Sequence, residues 1–585
     1  MLEKILDFFS ARINTTVLFF FIYAIFLISP FLYAGANTLA GHDYLFHQLI
    51  TQQIGVAMDG GQFPARVMPD MAFGFGYGTG IFYSQLPHLA SYLFSRLPFF
   101  DVHSAIVLVY FLGYFFSGYA FYKMMLYLGK TESSAAVGGL LYMSLPYHII
   151  DVFYRNAYAE AFCFMLLPLV LMGFVKLVKE QKILMLALSF SAIALSHNIT
   201  ALYTFIFLLV GCLFYFKSFL DRKVIIAALK AAGLVLLLTG FFIVPFIEHR
   251  FFNTHGTSYQ VFILGDQLAK SVLENIVQIG QLFYWPFGQN DLRYTSFIDP
   301  AYNAQFHYRM PLFVGAYLLL LFAAAVLWPS SRKGLRANLP FVFLGLLTLF
   351  ATTAYFPWHR VPGILLNIQF PWRLLIFAGF FICIAAADVF SKISVRETRF
   401  ALVAVAIVGM FYTVRIVSPL PIKPKFSDRM VSQIDSLHGQ VGSGEYFPAP
   451  ARWSYQQYLE RKKTPLRRHG HADISEFKRE KNGRFSFAVN MEKDARDEIE
   501  LPLFYYMGYD IRFFPAAGGP ARAVRYYENE RGMATIRAEG SGTIKAGYRG
   551  TAADRISTAV SLAALFLIAF LGLQRGRNRK EAQPC

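Results

Sequence analysis

Charge is scarce in this sequence, and so is cysteine. Lys, Arg, Asp and Glu make up 15% of the 585 residues, whereas a soluble domain carries about 25%. That excludes an ordinary water-soluble chain. Of four cysteines, Cys163, Cys212 and Cys383 lie in apolar runs and Cys585 is the last residue. No pair in a polar loop can build a disulfide framework. No His-Glu-x-x-His or comparable spacing joins His42, His47 and His197, which argues against a zinc site. The polar C-terminal segment has no metal spacing, phosphate loop or nucleophile elbow. No internal repeat is visible, and the apolar runs are nearly free of charge inside. Transporters usually place ionisable groups near the midplane and often show repeated halves.

What is present is apolar length: 56% of the chain is hydrophobic and 17% aromatic. Runs long enough to span a bilayer, about 20 residues each, recur from Thr16 to Leu573. Short basic connectors follow every second run: Lys123 and Lys130; Lys176, Lys179 and Lys182; Lys217, Arg222 and Lys223; Arg332, Lys333 and Arg336; Lys392, Arg396 and Arg399; Arg575, Arg577, Arg579 and Lys580. Lys and Arg are enriched in cytoplasmic loops, so both termini are expected inside and the longer connectors outside. A net charge of +18 could signal nucleic acid, but a nucleic-acid binder clusters its basic residues on a soluble domain. Here many punctuate apolar runs, so no nucleic-acid partner is expected. Those on the polar C-terminal segment can attract anionic lipid or an anionic polymer.

The alternation predicts twelve spans: Thr16–Ala34, Ser104–Tyr122, Ser133–Ile149, Ala159–Val175, Ile183–Leu195, Ile199–Phe216, Val224–Phe246, Pro311–Trp328, Leu339–Phe356, Leu374–Phe390, Phe400–Ser418 and Ile556–Leu573. The first run follows Lys4 and Arg12 and precedes Ala34-Gly35-Ala36, as a signal peptide would. It exceeds the roughly 7–15 residues of a signal core, so it reads as an uncleaved span. Pro87 and Pro98 break the apolar stretch 80–100 into short interfacial helices. The expected plan is a membrane module, 1–418, with outer loops 35–103, 150–158 and 247–310. A β-rich outer domain follows at 419–555, then a last span and basic tail at 556–585. Arg484–Asn490 alternates as a half-buried strand does. Glu498–Phe514 and Ala521–Tyr548 add short aromatic and β-branched runs split by turn residues, the pattern of a β-sandwich.

Chemistry concentrates on the predicted outer side. Asp43 follows the first span in Gly41-His42-Asp43, with His47 one helical turn on. A carboxylate at the interface suits a general base, while an Asp before a helix also serves as an N-cap. The next segment carries Arg66 and a Gly- and aromatic-rich run, Phe73–Gly78, that includes Tyr77. Such rings can stack on sugars or form an interfacial belt. The short loop DVFYRNAYAE holds Asp151, Arg155 and Glu160, either a site or a structural ion pair. His197 stands at an outer turn and can shuttle a proton or contact phosphate. Arg373, in Phe370-Pro371-Trp372-Arg373, carries a planar fork suited to phosphate, or snorkels.

These pieces resemble a known family. One span, an outer loop opening with a carboxylate and a short outer loop with a second acidic residue resemble the GT-C glycosyltransferase superfamily. More closely, the chain is similar to the YfhO-like and pyruvoyl-tetrahydropterin-synthase-related bacterial membrane proteins. The matching pieces are Gly41-His42-Asp43, Phe82–Pro87, Arg155–Glu160, Gln369–Arg373 and Leu501–Tyr506. The chain departs at Met507-Gly508-Tyr509, where a Pro-Gly-Trp is usual, and has no clear Asp-x-Asp in its second outer loop. The resemblance implies an inverting transfer of a sugar from a polyprenyl-phosphate donor to an envelope glycan or lipid acceptor. The transfer would take place outside a bacterial plasma membrane. It assigns catalysis to Asp43. From their own chemistry and placement, Glu160 is a second catalytic candidate, Arg373, Arg155 and His197 are expected at the donor phosphate, and His42, His47, Arg66 and Tyr77 at the acceptor. The resemblance names no certain cofactor, and a divalent cation stays open. A flippase of lipid-linked saccharides and a non-catalytic assembly subunit are the competing classes.

Overall fold

The computed structural model describes residues 15–33, 37–39, 41–251, 312–327, 332–420, 422–424, 444–451, 453–461, 463–492 and 495–581, with isolated positions within 272–282 and at 441. Most of the second outer loop, Lys4, Arg12 and residues 34–36 lie outside these. Eight described helices are long and apolar enough to cross a membrane: Thr15–Leu32, Val102–Tyr127, Glu132–Arg155, Tyr158–Glu180, Arg222–Phe251, Pro371–Phe390, Val395–Val417 and Ala552–Gln574. The chain is a polytopic membrane protein. Four further predicted spans form shorter apolar helices, Leu184–Ala194, Asn198–Phe214, Ala316–Leu327 and Arg336–Thr352. The first has only 11 residues, about 16 Å at 1.5 Å per residue, too short to cross alone. As expected from Pro87, stretch 80–100 forms short helices, Thr79–Phe82 and Leu86–Ser95.

The residues group into two compact units. The first comprises 1–44, 103–231 and 265–425 and is helical. Its helices pack through close small-residue contacts: a Cβ on Gly139 would lie 2.9 Å from the Gly118 carbonyl and 2.7 Å from the Phe20 ring. Tyr23 and Ser144 share a buried hydrogen bond of 2.8 Å. Two short strands, β1 (Asn37–Leu39) and β2 (Ile422–Pro424), pair antiparallel. Thus the segment after the first span is stitched to the proline-rich segment that follows Val395–Val417.

The second unit comprises 45–102, 232–264 and 426–585. Its strands are β3 (Leu466–Arg467), β4 (Ala472–Arg479), β5 (Phe485–Met491), β6 (Arg496–Phe504), β7 (Tyr509–Pro515), β8 (Arg522–Ala523), β9 (Tyr526–Glu528), β10 (Met533–Glu539) and β11 (Gly542–Tyr548). They form two antiparallel sheets, ordered β3-β6-β10-β9 and β4-β5-β11-β7-β8. Phe485, Phe487 and Val489 alternate inward on β5, because successive strand residues face opposite sides. The first outer loop was expected with the membrane module. Its residues 45–102 instead share a core with these sheets: Met68, Phe75 and Tyr77 pack in one cluster with Phe504 and Ile536. The physical reason is its apolar and aromatic content, which needs burial that a bare loop cannot provide.

Candidate functional site

The site is built on an irregular stretch of the third span. Pro146 starts a short helix, Pro146–Ile149, which widens into a π-helical turn over Ile150–Arg155. Such turns recur at functional sites. Asn156 ends it in the left-handed conformation at φ 50°. The Asn156 side-chain amide donates to the Val152 carbonyl at 2.6 Å, and its oxygen accepts from the Gly41 backbone N–H at 2.6 Å. The backbone N–H groups of His42 and Asp43 donate to the carbonyls of Tyr154, at 3.1 Å, and Arg155, at 2.9 Å. The Gly41-His42-Asp43 segment is therefore clamped onto the turn by three hydrogen bonds. Glycine is required there, since a Cβ would meet the carbonyl oxygens of Tyr154 and Phe153 at 2.5 and 2.6 Å.

Beneath this clamp lies a buried set of charges. Arg155 Nη1 donates to Asp151 Oδ1 at 2.6 Å, Glu160 Oε2 at 2.8 Å and the Tyr147 hydroxyl oxygen at 3.1 Å. The Tyr147 hydroxyl donates to Glu160 Oε1 at 2.8 Å. Arg373 Nε stands 3.4 Å from Glu160 Oε2. Its Nη1 donates to the Ile368 carbonyl and to Gln369 Oε1 at 2.9 and 3.1 Å, and its guanidinium covers the Phe370 ring. His197 interacts electrostatically with Glu160. It caps the Asn198–Phe214 helix, with Nδ1 2.7 Å from Thr200 Oγ1.

Asp43 differs from its neighbours. It is half-buried and immediately precedes the helix Tyr44–Asp59. Among the described residues its carboxylate makes no hydrogen bond or ion pair, so no N-cap bond forms. Charge surrounds it all the same: Arg155 and His42 lie within its electrostatic reach. The His42 ring sits edge-on to Tyr154 at 5.2 Å. Partial burial lowers the His42 pKa, an effect that Asp43 opposes and Arg155 reinforces. Glu160, tied on both oxygens, is less free than Asp43 to accept a proton.

The structure brings Asp43, His42, Arg155, Glu160, Arg373 and His197 to one end of the helical unit. The other expected residues belong to the second unit. His47 Nδ1 is 2.9 Å from His88 Nε2. Arg66 is buried on Asp554, with Nε and Nη2 on the carboxylate and Nη1 on the Gly80 carbonyl at 3.0 Å. Tyr77 is fully buried and gives its hydroxyl to the Val441 carbonyl at 3.0 Å. The Arg66 and Tyr77 side chains are thus occupied inside that unit's own core. Among the described residues no three His, Cys, Asp or Glu side chains converge as a metal site. Tyr147, not expected from the sequence, is integral to the charge set. Its spacing was available: Tyr147, Asp151 and Arg155 recur every four residues along one helix face.

Residues 82–264 match the family model described as a 6-pyruvoyl-tetrahydropterin synthase related domain, membrane protein. That stretch includes Asp151, Arg155, Glu160 and His197 but neither Asp43 nor Arg373. An uncharacterized protein of Lactococcus lactis subsp. cremoris (strain MG1363) is 23% identical over 356 residues, 58% of this chain and 54% of that protein. The match therefore spans about half of its relative's length. The cryo-EM structure of arabinofuranosyltransferase AftD from Mycobacteria aligns at a TM-score of 0.40 and 13% identity, covering 72% of this chain and 28% of that one. That likeness is too distant to carry fold or function. What these comparisons and the eight long apolar helices state together is a membrane protein similar to the pyruvoyl-tetrahydropterin-synthase-related family.

Proposed function

We propose that this chain is a membrane glycosyltransferase that moves a sugar from a polyprenyl-phosphate donor to a hydroxyl of an envelope glycan or lipid. Transfer occurs at the outer face of a bacterial plasma membrane. The observation that carries this reading is the Asp43 carboxylate, clamped by its backbone beside buried guanidinium groups and left, among the described residues, without a hydrogen-bonded partner. A structural carboxylate at such a position would be paired. One held in place and unpaired is available to take a proton.

The acceptor oxygen attacks the anomeric carbon as Asp43 receives its proton. The bond from that carbon to the phosphate oxygen breaks, and its electron pair leaves with the polyprenyl phosphate. General-base assistance of this kind contributes about 10²–10⁴ in rate. Arg373, the guanidinium not held by a full set of carboxylate bonds, stabilises the departing phosphate. Arg155 and Glu160 act as positioning residues, fixing the turn and the orientation of Arg373. Outward orientation is supported by the alternation of Lys/Arg connectors, which puts Asp43 and Arg373 on the side away from the cytoplasm.

The test is incubation of the purified protein with radiolabelled polyprenyl-phosphate sugars and a crude envelope acceptor fraction. The expected result is release of unglycosylated polyprenyl phosphate together with label in the acceptor. Movement of intact labelled lipid across a vesicle bilayer, without cleavage, would replace the transferase with a flippase.

A further inference from the structure

The helical unit also contains an apolar cavity of about 360 Å³, within the ~300–1,000 Å³ of small-molecule sites. Phe174, Phe207, Phe341 and Phe381 are among its walls, and Lys130 and Lys179 stand at its rim. Lys179 is 19 residues beyond Glu160 on the span Tyr158–Glu180, or about 28 Å at 1.5 Å per residue. The rim is thus a bilayer's thickness from the site, at the face predicted to be cytoplasmic.

Charge there is uneven. Lys130 is neutralised by Asp388 at 2.8 Å, and Glu180 by Lys182 at 2.7 Å. Lys176 lies over the Tyr127 ring at 5.0 Å. Lys179 is exposed and makes no ion pair among the described residues. An apolar slot opening beside the Lys179 ammonium, which has no ion pair among the described residues, suits a molecule with a greasy chain and an anionic head. A zwitterionic head would not meet that charge, and a neutral one would leave it unused.

We infer that this cavity binds one acyl chain of an anionic phospholipid of the inner leaflet, with Lys179 at its phosphate. The proposal does not depend on the transferase reading, because its readout is binding.

The test is native mass spectrometry of the detergent-purified full chain titrated with phosphatidylglycerol or phosphatidylcholine. One phosphatidylglycerol should be retained in preference to phosphatidylcholine. Lys179→Glu, an exposed change, should lower its occupancy at least about fivefold, and Lys179→Arg should restore it. Leu171→Trp, which fills the cavity, should abolish retention while thermal unfolding reports that the variant is folded. Equal retention of the two lipids, or an unaffected Lys179→Glu variant, would overturn the proposal. Displacement by polyprenyl phosphate in an Arg373-dependent manner would also overturn it and assign the cavity to a prenyl chain.

Discussion

Each unit buries a guanidinium on a carboxylate, and the two arrangements are finished differently. In the β-rich unit Arg66 spends Nε, Nη1 and Nη2 on Asp554 and backbone carbonyls. Among the described residues of the helical unit, Asp151 Oδ2 and Arg373 Nε are buried without a hydrogen bond, and the half-buried Asp43 carboxylate makes none. Buried polar groups are normally satisfied. A closed set reads as architecture, and an open one as a place prepared for something else to bind. The contrast separates structural from functional charge where burial alone does not.

The largest expected effect lies on the closed side. Arg66→Met strands the Asp554 carboxylate in the interior and should cost about 3–5 kcal/mol of stability, read as a lowered Tm in detergent. An unchanged Tm would mean that this pair is not closed after all. Gly41→Ala comes next. Its methyl must push the clamp off the Tyr154 and Phe153 carbonyls, and a displacement of about 1 Å at a reacting group costs about 10² in turnover. Turnover unchanged by the methyl would show that the clamp does not set the position of Asp43.

Arg373→Lys probes the open side more gently. Loss of the planar fork should lower turnover by about tenfold or more, and Arg373→Ala should weaken donor affinity as well. A Lys variant with wild-type turnover and affinity would make Arg373 a membrane anchor. The smallest effect is a pH slope. Burial, with His47 second, holds the His88 pKa well below its ordinary value. Below about pH 6.5 the unfolded chain therefore binds a proton that the folded unit refuses. Stability should fall on acidification by at most about 1.4 kcal/mol per pH unit from this group. His88→Gln should flatten that slope in thermal scans between pH 7 and 5, and an unaltered slope would place its origin elsewhere.

Much of the fold is legible from residue order. The span expected at Ser104–Tyr122 lies within Val102–Tyr127, and the alternation of Arg484–Asn490 becomes strand β5. Hydropathy and period-two patterning report burial directly, so such elements survive a local reading. Two features do not. The union of 45–102 with the β-sheets depends on contacts far apart in sequence, such as the Phe504 N–H on the Phe75 carbonyl at 2.9 Å. The π-helical turn shifts register within one helix, which periodicity averages away. For the site, residue types pointed to Asp43, Arg155, Glu160 and Arg373. Whether each charge was satisfied could be judged only once partners were in place, and that distinction sets Arg66 apart from Asp43.

Asp43 is held in place with its carboxylate free to take a proton, and Asp43→Asn removes that capacity alone. Asn keeps the size of Asp, and among the described residues the Asp43 carboxylate has no cap bond or ion pair to lose, so folding should be unchanged while proton acceptance is lost. The measurement is the turnover of donor by the purified variant, beside its Tm. The expected result is a fall of about 10²–10⁴ in turnover with the Tm unmoved. Wild-type turnover in the Asn variant would contradict it and remove Asp43 from the chemistry.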